Sequence, residues 1–201
     1  MQTQSEDVHV FSRNFDFKPH ALINFVGGGG KTALILKLME ELIGQGHVLY
    51  TTTTRIHPPN TDKNMVILSG DNLELLKMLV EQTARLCSDR NYKIVATRHF
   101  MEPDLLNGVP ADFLEHSDRS LCALFLNEAD GSARFSIKLP REGEPVLMSR
   151  AEYLVPVIGL DCLHRTAGPD TLFRFQTQSS RFSIRAGERI TTEMAAKILL
   201  H

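Results

Sequence analysis

An apolar stretch from Ala21 to Val26 runs straight into Gly27, Gly28, Gly29 and Gly30, followed by Lys31 and Thr32. The pattern predicts a strand that feeds a glycine loop. From Ala33 onward Leu34, Leu38 and Leu42, flanked by Ile35, Met39 and Ile43, recur at helical spacing until Gly44 and Gly46 stop them. A second strand is expected over His47 to Thr52. The following segment, Thr53 to Thr61, carries Pro58 and Pro59 and reads as a loop. Met65 to Leu68 and Ile94 to Thr97 are further strand segments, separated by an amphipathic helix over Asp71 to Leu86 built on Leu73, Leu76, Leu79 and Val80.

The stretch Arg98 to Ser120 holds Pro103, Gly108 and Pro110 and is expected to be loop-rich, with at most a short helix over Ala111 to His116. Leu121 to Leu126 is an unbroken apolar run that suits a strand buried on both faces. Past Gly131 the pattern changes to short alternating pieces, Phe135 to Leu139 and Glu144 to Met148, before another strand at Tyr153 to Ile158. Arg174, Arg181, Arg185 and Arg189 alternate with Phe173, Phe175, Phe182 and Ile184, which predicts strand pairs with one wet face. Thr191 can cap a last helix running through Leu200, with Glu193 well placed in its first turn. Strands alternating with helices imply an α/β protein of three layers around a mainly parallel sheet, with a short β-rich insertion near 132–150.

The chain has 201 residues, 42% of them hydrophobic, which suits one core; after a polar leader over 1–20, residues 21–201 are expected to form a single domain. Its 22 basic and 24 acidic side chains give a net charge of -2 and argue against nucleic acid as a partner. No apolar run approaches the roughly 20 residues that cross a bilayer, so no membrane partner is expected and the cytoplasm is the expected location. Cys87, Cys122 and Cys162 are widely spaced and form no Cys-x-x-Cys, so they read as buried or half-buried thiols.

The strongest chemical signal is Val-Gly-Gly-Gly-Gly-Lys-Thr at 26–32. Glycines can turn successive backbone N–H groups inward into an anion nest, and the following helix adds its positive dipole end. Lys31 could then reach the β and γ phosphates of a nucleotide, and the Thr32 hydroxyl would ligate Mg2+. The usual phosphate loop has another glycine where this chain has Phe25, so the loop is a variant or shortened one. At the end of the most apolar strand, Asn-Glu-Ala-Asp-Gly supplies Asp130, first, and Glu128, second, as carboxylates to hold the metal or orient water. Thr53, Thr54 and Arg55 start a loop on the same carboxyl edge if the sheet is parallel, and can touch phosphate there.

Several separated pieces resemble one family. Val26 to Thr32, Thr51 to Ile56, Glu128-Ala-Asp-Gly131, Lys138 with Pro140, Glu144-Pro145 and Val157-Ile-Gly-Leu-Asp161 come in the order seen in YqeC-type proteins, described as accessory proteins of selenium-dependent hydroxylases. The resemblance covers roughly residues 21 to 161. It implies a P-loop NTPase-like protein, a weak NTPase binding Mg2+ with ATP or GTP, that serves maturation of molybdenum hydroxylases. The implied partners are the nucleotide and a molybdenum hydroxylase or its cofactor-processing proteins. Carried over by position, it marks Gly27 to Thr32, Thr53, Glu128, Asp130 and Lys138 as site residues. The chain departs from the family pattern at Gly28, where an alanine is usual, at Ala33, where a threonine is usual, and at Arg55, where a lysine is frequent. Relatives continue past His201 to a segment that could hold a base-reading Asn-Lys-x-Asp, so either this chain is shortened or the base is recognised otherwise. A small-molecule kinase or nucleotidyl-handling enzyme, with Arg98 to Ser120 closing over an acceptor, and a non-hydrolysing binder of a phosphate-bearing cofactor are the alternatives.

Overall fold

A computed structural model describes residues 11–87, 90–99 and 105–200. Among them, strands and helices follow in the order β1 (Leu22–Gly27), α1 (Lys31–Leu42), β2 (Val48–Thr52), β3 (Met65–Ser69), α2 (Leu73–Leu86), β4 (Lys93–Thr97), β5 (Leu124–Glu128), β6 (Tyr153–Val157), α3 (Phe175–Gln178) and α4 (Thr192–Leu199). The first ten residues of the expected leader, and residues 100–104 of the expected loop after β4, lie outside the described residues.

The six strands form one sheet in the order β3-β4-β2-β5-β1-β6, and every pair is parallel. Parallel pairing with helical crossovers buries both faces, which explains the unbroken apolar runs in β2, β4 and β5. Alternation then sorts side chains between two cores. Ile23, Phe25, Tyr50, Leu124 and Leu126 pack under Ile35, Leu38 and Met39 of α1. Leu22, Leu49, Ile94 and Phe125 pack under Leu76, Val80 and Ala84 of α2 on the opposite face. Helix, sheet and helix thus make three layers. A third cluster, including Ile137, Leu172, Phe182, Ile190 and Ile198, gathers the chain after β5 around α4.

Capping follows the local sequence. The Asn72 side chain accepts from the Leu75 N–H, and Thr191 accepts from the Met194 N–H, as its position predicts. Helix α1 begins differently: its N-cap is Gly30 in the left-handed region (φ 95°), with no side-chain cap. Its first-turn N–H groups therefore face whatever lies ahead of the helix.

The structure corrects three expectations. The expected β-rich insertion near 132–150 contains no strand; Ala133, Arg134, Gly143 and Arg150 have positive φ, and Pro140 and Pro145 have no N–H to donate, so no ladder can run through it. Among the described residues its one isolated β-bridge joins Lys138 to Phe173, and Ser136 O accepts from the Gly159 N–H. The arginine and phenylalanine alternation near 173–184 is likewise not strand pairs but turns and the single-turn α3. Arg174 and Ser183 sit at positive φ there, which extended chain does not allow. The buried strand expected over Leu121–Leu126 starts later and runs to Glu128, because Arg119–Leu121 forms a 3-10 turn. Ala111 to His116 forms turns, in keeping with the loop-rich stretch expected there. Cys122 and Cys162 are buried and Cys87 is half-buried.

Candidate functional site

β2, β5 and β1 are adjacent, so their carboxyl ends come together, with Glu128 in register with both Thr52 and Phe25. Leu124 and Leu126 of β5 face α1, and alternation places Glu128 on that same face, beside the first turn of the helix. The Thr32 hydroxyl donates to Glu128 Oε2 at 2.8 Å, and the Tyr50 hydroxyl donates to the same oxygen at 2.9 Å. Burial pushes the Glu128 carboxyl above the usual carboxylate range, while the Lys31 charge and these two hydroxyl donors oppose that rise. Tyr50 is raised well above its ordinary value, first by burial and then by the neighbouring Glu128 charge.

Lys31 turns back under the glycine loop. Its ammonium donates to Gly27 O at 2.7 Å and Gly28 O at 3.3 Å, and lies 3.2 Å from Asp130 Oδ1 and 3.9 Å from Glu128 Oε1. Asp130 also accepts the Gly27 N–H on both oxygens, at 3.1 and 3.0 Å, and pairs with Lys138 Nζ at 3.0 Å. Lys138 continues the chain to Gly131 O and to Glu144 Oε2, each at 3.0 Å. Arg174 closes it with two nitrogens on the two oxygens of Glu144, Nη2 to Oε1 at 2.9 Å. The buried charges are thus compensated pair by pair, as low-dielectric surroundings require. Partial burial works to raise Glu144, but the hydrogen bonds and charges of Arg174 and Lys138 prevail and bring it to about 2.

The glycine N–H groups are not all turned inward as the nest reading expects. Gly28 N–H donates to Val157 O at 2.8 Å and Gly29 N–H donates to Ser136 O at 3.1 Å, while Gly27 N–H is taken by Asp130. A Cβ on Gly28 would lie 2.1 Å from Ser136 O, so glycine there serves the close approach of the 136–137 backbone. The donors that face outward are those of the α1 N-terminus.

In front of that terminus lies a cleft of about 550 Å³ lined by Gly28 to Ala33, Arg55, Ile56, His57, Leu105, Glu128 and Gly131 to Arg134. The structure therefore brings Gly28 to Thr32, Arg55 and Glu128 to one cavity. It sends other expected residues elsewhere. Asp130 and Lys138 line a separate cavity of about 490 Å³ behind the glycine loop. Asp130, expected to share a metal with Thr32, has both oxygens on Gly27 N–H and two ammonium groups, so Glu128 is the carboxylate beside the threonine. The Thr53 hydroxyl donates to Val146 O at 2.5 Å, and the Thr54 N–H donates to Thr52 Oγ1 at 3.1 Å. Thr53 thus ties its loop to the segment at Val146, whereas the Thr54 bond stays within its own turn, and neither residue lines the cleft.

Sequence reading missed Tyr50, Ser136 and Arg174. Tyr50 was foreshadowed by alternation alone, since Val48, Tyr50 and Thr52 share the α1 face of β2. Ser136 and Arg174 act through backbone approach and a long-range ion pair, for which local pattern carries no signal.

Fold and site together define a three-layer, all-parallel α/β protein with a glycine-rich strand-to-helix turn at the carboxyl edge of its sheet. The YqeC family model, described as YqeC protein, matches residues 23–176, and the chain belongs to that family. It is similar to an uncharacterized protein YqeC of Escherichia coli (strain K12), 27% identical over 159 residues that cover 79% of this chain and 59% of the relative. The chain thus spans about three fifths of that relative's length. No solved structure matches it significantly. Among the described residues no helix is long and apolar enough to cross a membrane.

Proposed function

We infer that the chain binds Mg2+ with ATP or GTP in the 550 Å³ cleft, acting as a weak NTPase that serves as an accessory factor in maturing selenium-dependent molybdenum hydroxylases in the cytoplasm. One observation carries the nucleotide half: the uncapped N-terminus of α1 opens into a cleft walled by Thr32 and Glu128, whose side chains lie 2.8 Å apart. The helix terminus offers N–H donors and its dipole to phosphate. A hydroxyl beside one carboxylate fits Mg2+, which takes few protein ligands and fills its shell with water and phosphate oxygen. Bound there, the ion would offset phosphate charge; Thr32 and Glu128 are the residues to hold it. Lys31 sits one residue away and needs to exchange a loop carbonyl for a phosphate oxygen. The accessory role rests on family membership and on the segment 131–136, which touches both the glycine loop and the cleft, so that occupancy can alter the surrounding surface.

Calorimetric titration with ATP and GTP, each with and without Mg2+, tests the reading. Saturable, Mg2+-dependent binding of one of them, lost in Lys31→Ala, is expected. Absence of saturable binding of both by the wild-type chain would overturn it.

A further inference from the structure

We propose that Arg134 supplies a cation that holds the terminal phosphate of a nucleoside triphosphate in the cleft; the inference rests on the nucleotide reading above. Arg134 lines the cavity together with the glycine loop, Thr32 and Glu128. It is exposed, and among the described residues its guanidinium has no hydrogen-bond or ion-pair partner. The other cations of the cleft differ. Lys31 is engaged by Gly27 O, Gly28 O and Asp130, and Arg55 and His57 each already have a partner.

The backbone that presents Arg134 is held in an unfavourable shape. Ala133 (φ 47°) and Arg134 (φ 67°) are consecutive non-glycine residues in the left-handed region, where a Cβ crowds the carbonyl. Such strain persists only when neighbours over-determine it, and it concentrates at ligand sites. Here the turn is pinned on both sides. Lys138 Nζ holds Gly131 O at 3.0 Å, Phe135 N–H closes onto Ser132 O at 2.9 Å, and Ser136 O accepts from Gly29 N–H and Gly159 N–H at 3.1 and 2.8 Å. The same Ser136 carbonyl that locks the turn therefore also fixes it against the glycine loop. Arg134 lines the cleft into which the α1 N-terminus opens, and a guanidinium there can bind two oxygens of one phosphate at once.

The test uses Arg134→Asn, because asparagine tolerates the left-handed conformation while losing the charge, and Arg134→Lys, which returns it. Affinities of the full chain for Mg-ATP, Mg-ADP, Mg-GTP and Mg-GDP are measured by calorimetry, with thermal melting as the folding control. For the nucleotide that binds, Arg134→Asn is expected to lose about tenfold or more in triphosphate affinity while diphosphate affinity changes less than about twofold, with partial recovery in Arg134→Lys. Unchanged triphosphate affinity in Arg134→Asn, or an equal loss for both forms, would overturn this inference while leaving nucleotide binding intact. Failure of the wild-type chain to bind any of them would overturn both.

Discussion

Lys31 and Asp130 form an ion pair sealed inside the protein: ammonium and carboxylate oxygen are 3.2 Å apart and each side chain is 2% exposed. The lysine that follows the glycine loop is thus held from beneath by an acid on the neighbouring strand's exit. Because Asp130 also takes the Gly27 N–H and the Lys138 ammonium, it fixes the loop's shape as well as its charge.

Replacing Asp130 with Asn leaves two buried ammonium groups without their shared counter-ion. Losing one partner of a buried pair costs about 3–5 kcal/mol. Urea unfolding at pH 7 should show Asp130→Asn destabilised by that order, with Asp130→Asn/Lys138→Met recovering part of the loss. A change below about 1 kcal/mol in the single variant would contradict the geometry, given how much a broken buried pair normally costs.

The four glycines differ in why they are glycine. At Gly28 an added Cβ meets Ser136 O at 2.1 Å, a backbone atom that must move. At Gly30 the nearest atom is Val157 Cγ1 at 4.0 Å, so alanine there meets only the cost of φ 95°, about 1–2 kcal/mol. Gly28→Ala should therefore lower the melting temperature more than Gly30→Ala, and should disturb Ser136 and Ile137 amide signals that Gly30→Ala leaves in place. Equal effects would argue against the close approach of the two segments.

Acid should act through Glu144. Its carboxyl is lowered from 4.5 to about 2 by Arg174 and Lys138 against the opposing effect of burial, so its contribution is full above pH 4.5 and is lost as pH falls toward 2. Wild-type stability should decline across that window more steeply than that of Glu144→Gln, whose side chain does not titrate. Chemical denaturation at several pH values reads the difference, and parallel curves would contradict it.

Glu128 works in the opposite sense. Burial raises its carboxyl, so its favourable contribution is present below the usual carboxylate value and is lost as pH rises through the raised one. Glu128→Gln should gain stability relative to wild type as pH rises over that range, while Mg2+-dependent nucleotide affinity falls about tenfold through loss of a charged ligand. Melting curves across pH and calorimetry with and without Mg2+ separate the two effects. A variant that binds Mg-nucleotide as tightly as wild type would remove Glu128 from the metal-binding role.

Much of the core was legible because its rules are local. The apolar runs that became β1 and β5, the helical period in α1 and α2, and the Thr191 cap each depend on residues a few positions apart. The segment 132–150 was not legible: its alternation suggested strands, but its extended pieces have no neighbouring strand to pair with, and left-handed residues interrupt them.

By itself the amino-acid sequence determined an α/β chain whose first strand runs through four glycines into a helix starting with Lys31 and Thr32. Only the tertiary structure decided which acid stands beside that threonine. Glu128 ends β5 on the α1 face by strand alternation, whereas Asp130, two residues further on, has left the sheet and meets Lys31 and Lys138 behind the loop. The physical reason is that a strand's pleat assigns faces only as far as the strand runs, and beyond its end a buried charge goes where opposite charges gather.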